Sequence, residues 1–142
     1  MNHHRTDLAL LLLRLPLAAV FLFHGSQKLF GLFGGYGIEG TAGFMESIGL
    51  PAGTLMAVLA GGTELVGGLA LLTGFGLRLL SIPLTFTMLV AAFLAHSGFD
   101  AGQGGMEYPL VLAFAVAALG VAGPGRWAVR TAPGVARRLQ TT

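Results

Sequence analysis

Apolar residues gather into four long runs, separated by short stretches of glycine, proline and polar residues. The first run, "LALLLLRLPLAAVFLF" and onward, covers residues 8–30, with Thr6 and Asp7 placed as helix caps. The second covers residues 53–73, after the helix-starting "LPAG". The third covers residues 77–96, and the fourth covers residues 108–122, where "GPG" at Gly123 to Gly125 stops it. A membrane helix takes ~20 mostly apolar residues; the first three runs meet this and the fourth is short of it. The pattern predicts an all-α polytopic membrane protein, a four-helix transmembrane bundle formed by one domain over residues 1–142. Pro16 and Pro83 fall inside the first and third spans and predict bends there.

The connections alternate in character. "GLFGGYGIEGTAGFMESIGLP" is long and glycine-rich, "GFGLR" is a tight turn, and "SGFDAGQGGME" is polar and glycine-rich. The two long loops therefore share one side of the membrane, and both termini share the other with the tight turn. Every basic residue but Lys28 lies on the side of the termini: Arg5, Arg14, Arg78, Arg126, Arg130, Arg137 and Arg138. The excess of basic residues on cytoplasmic loops then places both termini in the cytoplasm of a bacterial inner membrane, with Glu39, Glu46, Asp100 and Glu107 outside. Trp127 occupies the position of an interfacial aromatic. The segment after Ala128 reads as a short basic cytoplasmic tail touching anionic lipid.

Composition removes whole classes of function. Of 142 residues, 54% are hydrophobic and only 10% charged, against about 25% charged in a soluble domain. So short a chain has too much surface for a large core to explain the deficit, so lipid must be its solvent. The net charge is only +2 and the basic residues concentrate at the C-terminus, which argues against nucleic acid as a partner. There is no cysteine, which excludes disulfides, thiolate metal sites and a dithiol cycle on this chain. His3, His4 and Arg5 ahead of an apolar run resemble a signal peptide, but Arg14 interrupts the run and it continues past any cleavage site, so the segment reads as an uncleaved first span.

Against this background "FHGSQK", at the end of the first run, stands out. Ionisable residues in a membrane segment are costly and point to function by default. Projected at about 100° per residue, Leu10, Arg14, Leu17, Phe21, His24 and Lys28 share one stripe of the first span. Ala57, Gly61, Glu64, Gly68 and Leu71 share a stripe of the second, so that Glu64 lies mid-membrane among small residues that allow close helix approach. Arg78, Ser81, Thr85, Ala92 and His96 align on the third, and Glu107 opens the fourth. His24, Lys28, Glu64, His96 and Glu107 are thus expected around one polar cavity open to the outside, lidded by the two long loops. Each has a plain structural reading beside this one. Lys28 could snorkel, Glu107 could offset its helix dipole, His96 could bond a loop carbonyl, and Glu64 could simply be paired. Arg14 and Arg78 read as anchors at the inner interface, and Gln27 projects off the stripe toward a neighbouring helix.

The ordered set "FLFHGSQKLFG", "GLPAG", "AGGTELVGGLALLTGFGLR", "TMLVAAFLAHSGF", "GGMEYPLVL" and "GPGRW" resembles the DoxX family of small bacterial membrane proteins, over roughly Arg14 to Trp127. The resemblance implies a four-helix membrane bundle and adds His24, Gln27, Lys28, Glu64, His96 and Glu107 as matches to the family's polar positions. It also implies an association with membrane redox systems, including a subunit of a thiosulfate:quinone oxidoreductase and oxidative-stress complexes. The chain departs from the family at Ala128 and Arg130, where a serine and an acid are common.

Three functional readings follow. The first is a redox-associated membrane subunit of a quinone-linked oxidoreductase that binds a quinone or small redox substrate. Here Glu64, His24 and His96 are the catalytic candidates, Lys28, Gln27 and Glu107 the ligand-binding ones, and a redox partner protein supplies electrons. The second has His24 and His96 ligating a haem; two histidines are the minimum for that, and the reading ranks low, with no dedicated metal site assigned. The third is not enzymatic: a scaffold, a lipid or small-molecule binder, or a proton-coupled carrier, with glycine stripes suited to a homo-oligomer.

Overall fold

The computed structural model describes residues 3–129, and all regular structure among them is helical. Five α-helices follow one another: α1 (His3–Phe30), α2 (Gly37–Ser47), α3 (Gly53–Thr73), α4 (Leu77–Val90) and α5 (Glu107–Ala122). α1, α3 and the stretch Leu77–Ala95 are each long and apolar enough to cross a membrane, and α5 is a shorter apolar helix. The sequence expectation of a polytopic membrane bundle holds. Large apolar side chains such as Leu79, Ile82, Phe86, Val111 and Phe114 are exposed on the outer faces of α4 and α5. A soluble domain this small could not carry such a surface, whereas hydrocarbon favours it.

Two boundaries differ from expectation. α1 is already helical at His3, so Thr6 and Asp7 lie inside its first turns instead of capping it. Asp7 turns to another task, its Oδ1 accepting the backbone N–H of Arg126 at 3.0 Å and pinning the segment after α5 to the start of α1. The third span stays α-helical only to Val90; Ala91–Ala95 widens to a π-turn, and His96 leaves in extended conformation. Pro16 and Pro83 lie within α1 and α4 without ending either helix. The predicted basic tail, with Arg130, Arg137 and Arg138, lies outside the described residues.

The larger correction is α2, which occupies half of what reads as the first glycine-rich loop. Gly37, Gly40 and Gly43 weaken its intrinsic helix propensity. What holds it is burial of one face: Thr41, Ala42 and Met45, spaced i, i+1 and i+4, pack down against α1 and α3.

α1 runs along α3, α3 packs on α4, and α4 on α5. The α1–α3 contact is unusually close, and glycine makes it so. A Cβ placed on Gly25 would lie 2.8 Å from the Leu65 nitrogen and 2.9 Å from the Gly61 carbonyl oxygen; one on Gly68 would lie 2.9 Å from the Leu22 nitrogen. Without side chains there, the two backbones touch, as small residues allow in lipid. The predicted stripe Ala57, Gly61, Glu64, Gly68 and Leu71 is buried at every position. Leu17, Phe21, Leu71, Leu84, Val116 and Leu119 form the apolar centre where α1, α3, α4 and α5 meet.

Candidate functional site

The close approach of α1 and α3 determines what happens to Lys28. Its Cβ lies 3.1 Å from where a Cβ on Gly61 would be. Gly61 is one turn before Glu64, so the lysine side chain crosses the glycine and reaches along α3. Nζ of Lys28 donates to both carboxylate oxygens of Glu64, at 2.9 and 2.7 Å. The Glu64 side chain is 3% exposed and that of Lys28 is 26% exposed. It is the sole ion pair among the described residues. Snorkelling does not describe this lysine; it compensates a carboxylate that would otherwise stand alone inside the bundle.

The pair lines a groove of about 740 Å³ between α2, α3 and α4. Most of the wall is apolar: Phe44, Met45 and Ile48 from α2, Leu59 from α3, Phe86 and Val90 from α4. The polar contributions are Lys28, Glu64, Thr63, Thr87 and His96. Phe86 and Leu59 on the rim are 68% and 53% exposed, so the mouth lies on the apolar outer surface of the bundle. The expected cavity was polar and open to water; the groove found is mainly apolar and opens sideways. α2 supplies the cover expected of the first long loop, whereas no residue of the second long loop lines the groove.

His96 sits in this wall because the π-turn ends there. Its Nδ1 lies 2.8 Å from the Ala91 carbonyl oxygen. A carbonyl can only accept, so Nδ1 carries a proton, and in the neutral tautomer that this bond selects, Nε2 is an acceptor.

A second cavity, of about 560 Å³, lies beside the α1–α2 connection and is lined by Gln27, Lys28, Gly35, Tyr36 and Thr41 among others. Lys28 and Phe44 line both cavities.

The structure thus brings Lys28, Glu64 and His96 together and places the other three candidates elsewhere. Gln27 donates to the Phe33 carbonyl at 3.3 Å, fastening the chain just after α1 instead of reaching a neighbouring helix. His24 is partly buried with its ring edge-on to Phe23, and it lines none of the cavities described. Glu107 accepts the backbone N–H of Ala101 at 2.8 Å and holds the loop before α5. Among the described residues no group of three or more His, Cys, Asp or Glu could hold a metal ion.

Two features escaped the sequence. The groove wall from α2 was hidden inside an apparent loop, although Thr41, Met45 and Ile48 carry a helical period. Arg14 is the other. It is not an interfacial anchor but fully buried. Its Nε donates to the Leu71 carbonyl at 2.8 Å and Nη2 to Leu72 at 3.0 Å, while Nη1 donates to Pro124 at 2.6 Å and Trp127 at 3.1 Å. It satisfies the C-terminal carbonyls of α3 and ties them to the "GPGRW" segment.

A bundle of apolar helices, with one ion pair and one histidine facing a side-opening groove, defines a polytopic membrane protein with a buried polar site. The model of the DoxX family matches residues 9–97, and the chain belongs to that family. It is 30% identical over 125 residues to "Inner membrane protein YqjF" of Escherichia coli K12, covering 87% of this chain and 90% of that one. It is 31% identical over 102 residues to "Putative oxidoreductase CatD" of Bacillus subtilis 168, covering 66% of this chain and 70% of that one. It is also 31% identical over 129 residues to "Uncharacterized membrane protein Rv3486" of Mycobacterium tuberculosis, covering 82% of this chain and 76% of that one. No solved structure matches the chain.

Proposed function

We propose that this protein is a redox-associated subunit of the bacterial inner membrane that binds a quinone-type amphiphile in the groove between α2, α3 and α4. The observation that carries the reading is the groove's composition: a mainly apolar, side-opening wall whose titratable residues are Lys28, Glu64 and His96. A quinone has the same division, an apolar tail and a small head that exchanges protons and hydrogen bonds. Its reduced form offers hydroxyl donors, which suit the free Nε2 of His96 and the carboxylate of Glu64. A bound quinone would supply the electron chemistry; the chain itself binds, orients and exchanges protons. The name of the Bacillus subtilis relative supports a redox setting, and that of the Escherichia coli relative supports the inner membrane. Among the described residues, Arg5, Arg14, Arg78 and Arg126 lie at the end of the bundle opposite Lys28, which favours cytoplasmic termini and an outward-facing α2. Electrons would come from a partner protein.

The test is native mass spectrometry of protein purified in mild detergent and supplied with decylubiquinone. We expect a bound quinone mass, lost in Ala60→Trp, which fills the groove and keeps both residues of the ion pair. Phospholipid adducts alone, unaffected by decylubiquinone, would replace this reading with that of a lipid-binding membrane module, which the apolar wall also suits.

A further inference from the structure

We infer that the Lys28–Glu64 pair is a gated proton site, with Lys28 as the movable wall between a water-side vestibule and the groove. The inference rests on the groove reading above and adds a route to the aqueous phase.

The argument starts from the two cavities. The larger is apolar and has its mouth on the lipid-facing surface; the smaller lies among the polar and glycine residues at the end of α1 and the start of α2. Tyr36, on the rim of the smaller, is 84% exposed, so that cavity opens at the end of the bundle, where water is. Glu64 lines the groove but not the vestibule, and Lys28 lines both. The lysine therefore stands between water and the carboxylate. Phe44, the other residue common to both cavities, carries no charge and completes the partition.

Such a wall can move. Lysine has a flexible stem and three equivalent donors, and here a quarter of its side chain is accessible, so a swing into the vestibule exposes its ammonium to water without unfolding anything. That swing leaves Glu64 without its countercharge in a buried setting, and a buried carboxylate without a countercharge takes up a proton. The proton steps balance as the ligand exchanges its electrons with the redox partner protein proposed above. A proton arriving from the head of the groove ligand goes to a Glu64 oxygen. With the lysine swung aside, Glu64 passes that proton to vestibule water, and the ammonium, charged throughout, swings back so that the original ion pair returns. One proton has crossed from groove to vestibule, and run backward the cycle delivers one. His96, with Nε2 as acceptor, is the remaining titratable group in the groove wall and offers the ligand a second contact.

Carbodiimides test this because they add to protonated carboxyl groups, giving an adduct that retains all atoms of both partners. Protein in liposomes is treated with lipid-soluble dicyclohexylcarbodiimide or with the water-soluble carbodiimide EDC, and Glu64 is read by peptide mass spectrometry. In the native protein the paired carboxylate should resist both. Lys28→Met removes the charge and keeps the wall, so the lipid-soluble reagent should gain about tenfold or more while EDC stays slow. Lys28→Ala removes charge and wall together, so both reagents should react. Lys28→Arg should keep the native pattern. Should Lys28→Ala fail to assemble, Lys28→Ser makes the same opening with a polar group. The inference is overturned if EDC does not reach Glu64 in either small variant, or if EDC labels Glu64 in the native protein as fast as it does in Lys28→Ala. Adding decylubiquinone separates this from the groove reading. Protection of Glu64 against the lipid-soluble reagent supports a quinone in the groove; two-reagent labelling of Lys28→Ala without protection keeps the gate and removes the quinone.

Discussion

α1 carries two cations on nearly one face, about four turns apart, and they have opposite lives. Arg14 is fully buried and spends its donors on four backbone carbonyls, with no carboxylate partner among the described residues. Lys28 is partly accessible and spends its charge on one carboxylate beside two cavities. Guanidinium is flat, permanently charged and forked, so it suits a fixed cluster of helix-end carbonyls. Ammonium is compact and sits on a flexible stem that lets it move. A buried charge in a membrane helix is therefore not itself the sign of a site; what satisfies it decides. Carbonyl dipoles at a helix terminus make a structural joint, and a second titratable group next to open space makes chemistry available.

The largest effect should come from breaking the joint. Arg14→Ala leaves the carbonyls of Leu71, Leu72 and Pro124 without their donor, at about 1–3 kcal/mol for each buried group left unpaired. We expect a loss of about 4 kcal/mol or more, read as a large fall in melting temperature by circular dichroism in detergent. Arg14→Lys should recover only part, because a point charge cannot span acceptors on both α3 and the segment after α5. A normal melting temperature for Arg14→Ala would remove the joint, and with it the contrast.

Breaking the pair should cost less and, unlike the joint, be reparable. Lys28→Met leaves a buried carboxylate uncompensated, at about 3 kcal/mol. Replacing the partner as well, in Lys28→Met with Glu64→Leu, should restore most of that stability, because apolar side chains of similar size need no compensation there. The same double variant should lose the decylubiquinone adduct. Recovery of stability with loss of the ligand would set the pair apart from Arg14, where no second substitution can satisfy the carbonyls. A double variant no more stable than Lys28→Met alone would mean that the ion pair does not account for the cost.

The sequence carried most of the bundle because hydrophobic runs of membrane length are hard to misread. The α3 helix came out with the bounds expected of it, Gly53–Thr73, and its small-residue stripe is buried as projected. Half of the candidate constellation was legible for the same reason: Lys28 and Glu64, projected onto facing stripes, pair, and both line one groove with His96. What failed was inference from shared depth to shared space. His24 and Glu107 lie at the same end of the molecule, yet one is packed edge-on to Phe23 and the other bonds a loop N–H. Helical projection gives the angle of a side chain but not which neighbour stands there. α2 was lost because its glycines lower local propensity while its stability comes from burial, a tertiary term invisible in the propensity scale. Arg14 was misplaced because sequence counts a charge near a helix end as interfacial; nothing in it foretold that the "GPGRW" segment folds back over the guanidinium.

The smallest expected effect concerns Glu107, and it sharpens the comparison from the outside. This residue was a candidate for the rim of the site. Its Oε1 instead accepts the Ala101 N–H, and it stands in the first turn of α5, where a negative charge is favoured. Glu107→Gln keeps an oxygen able to accept that bond and removes only the charge, so the loss should be below about 1 kcal/mol. Glu107→Ala loses the bond too and should cost about 1 kcal/mol more. Neither should alter decylubiquinone binding or carbodiimide labelling of Glu64, because neither Glu107 nor its loop lines the groove. Melting curves and native mass spectra on the two variants check this directly. If Glu107→Gln melted normally yet lost the quinone adduct, the site would extend to α5. The sideways groove would then be one wall of a larger cavity, and satisfaction by backbone groups would no longer separate joints from sites.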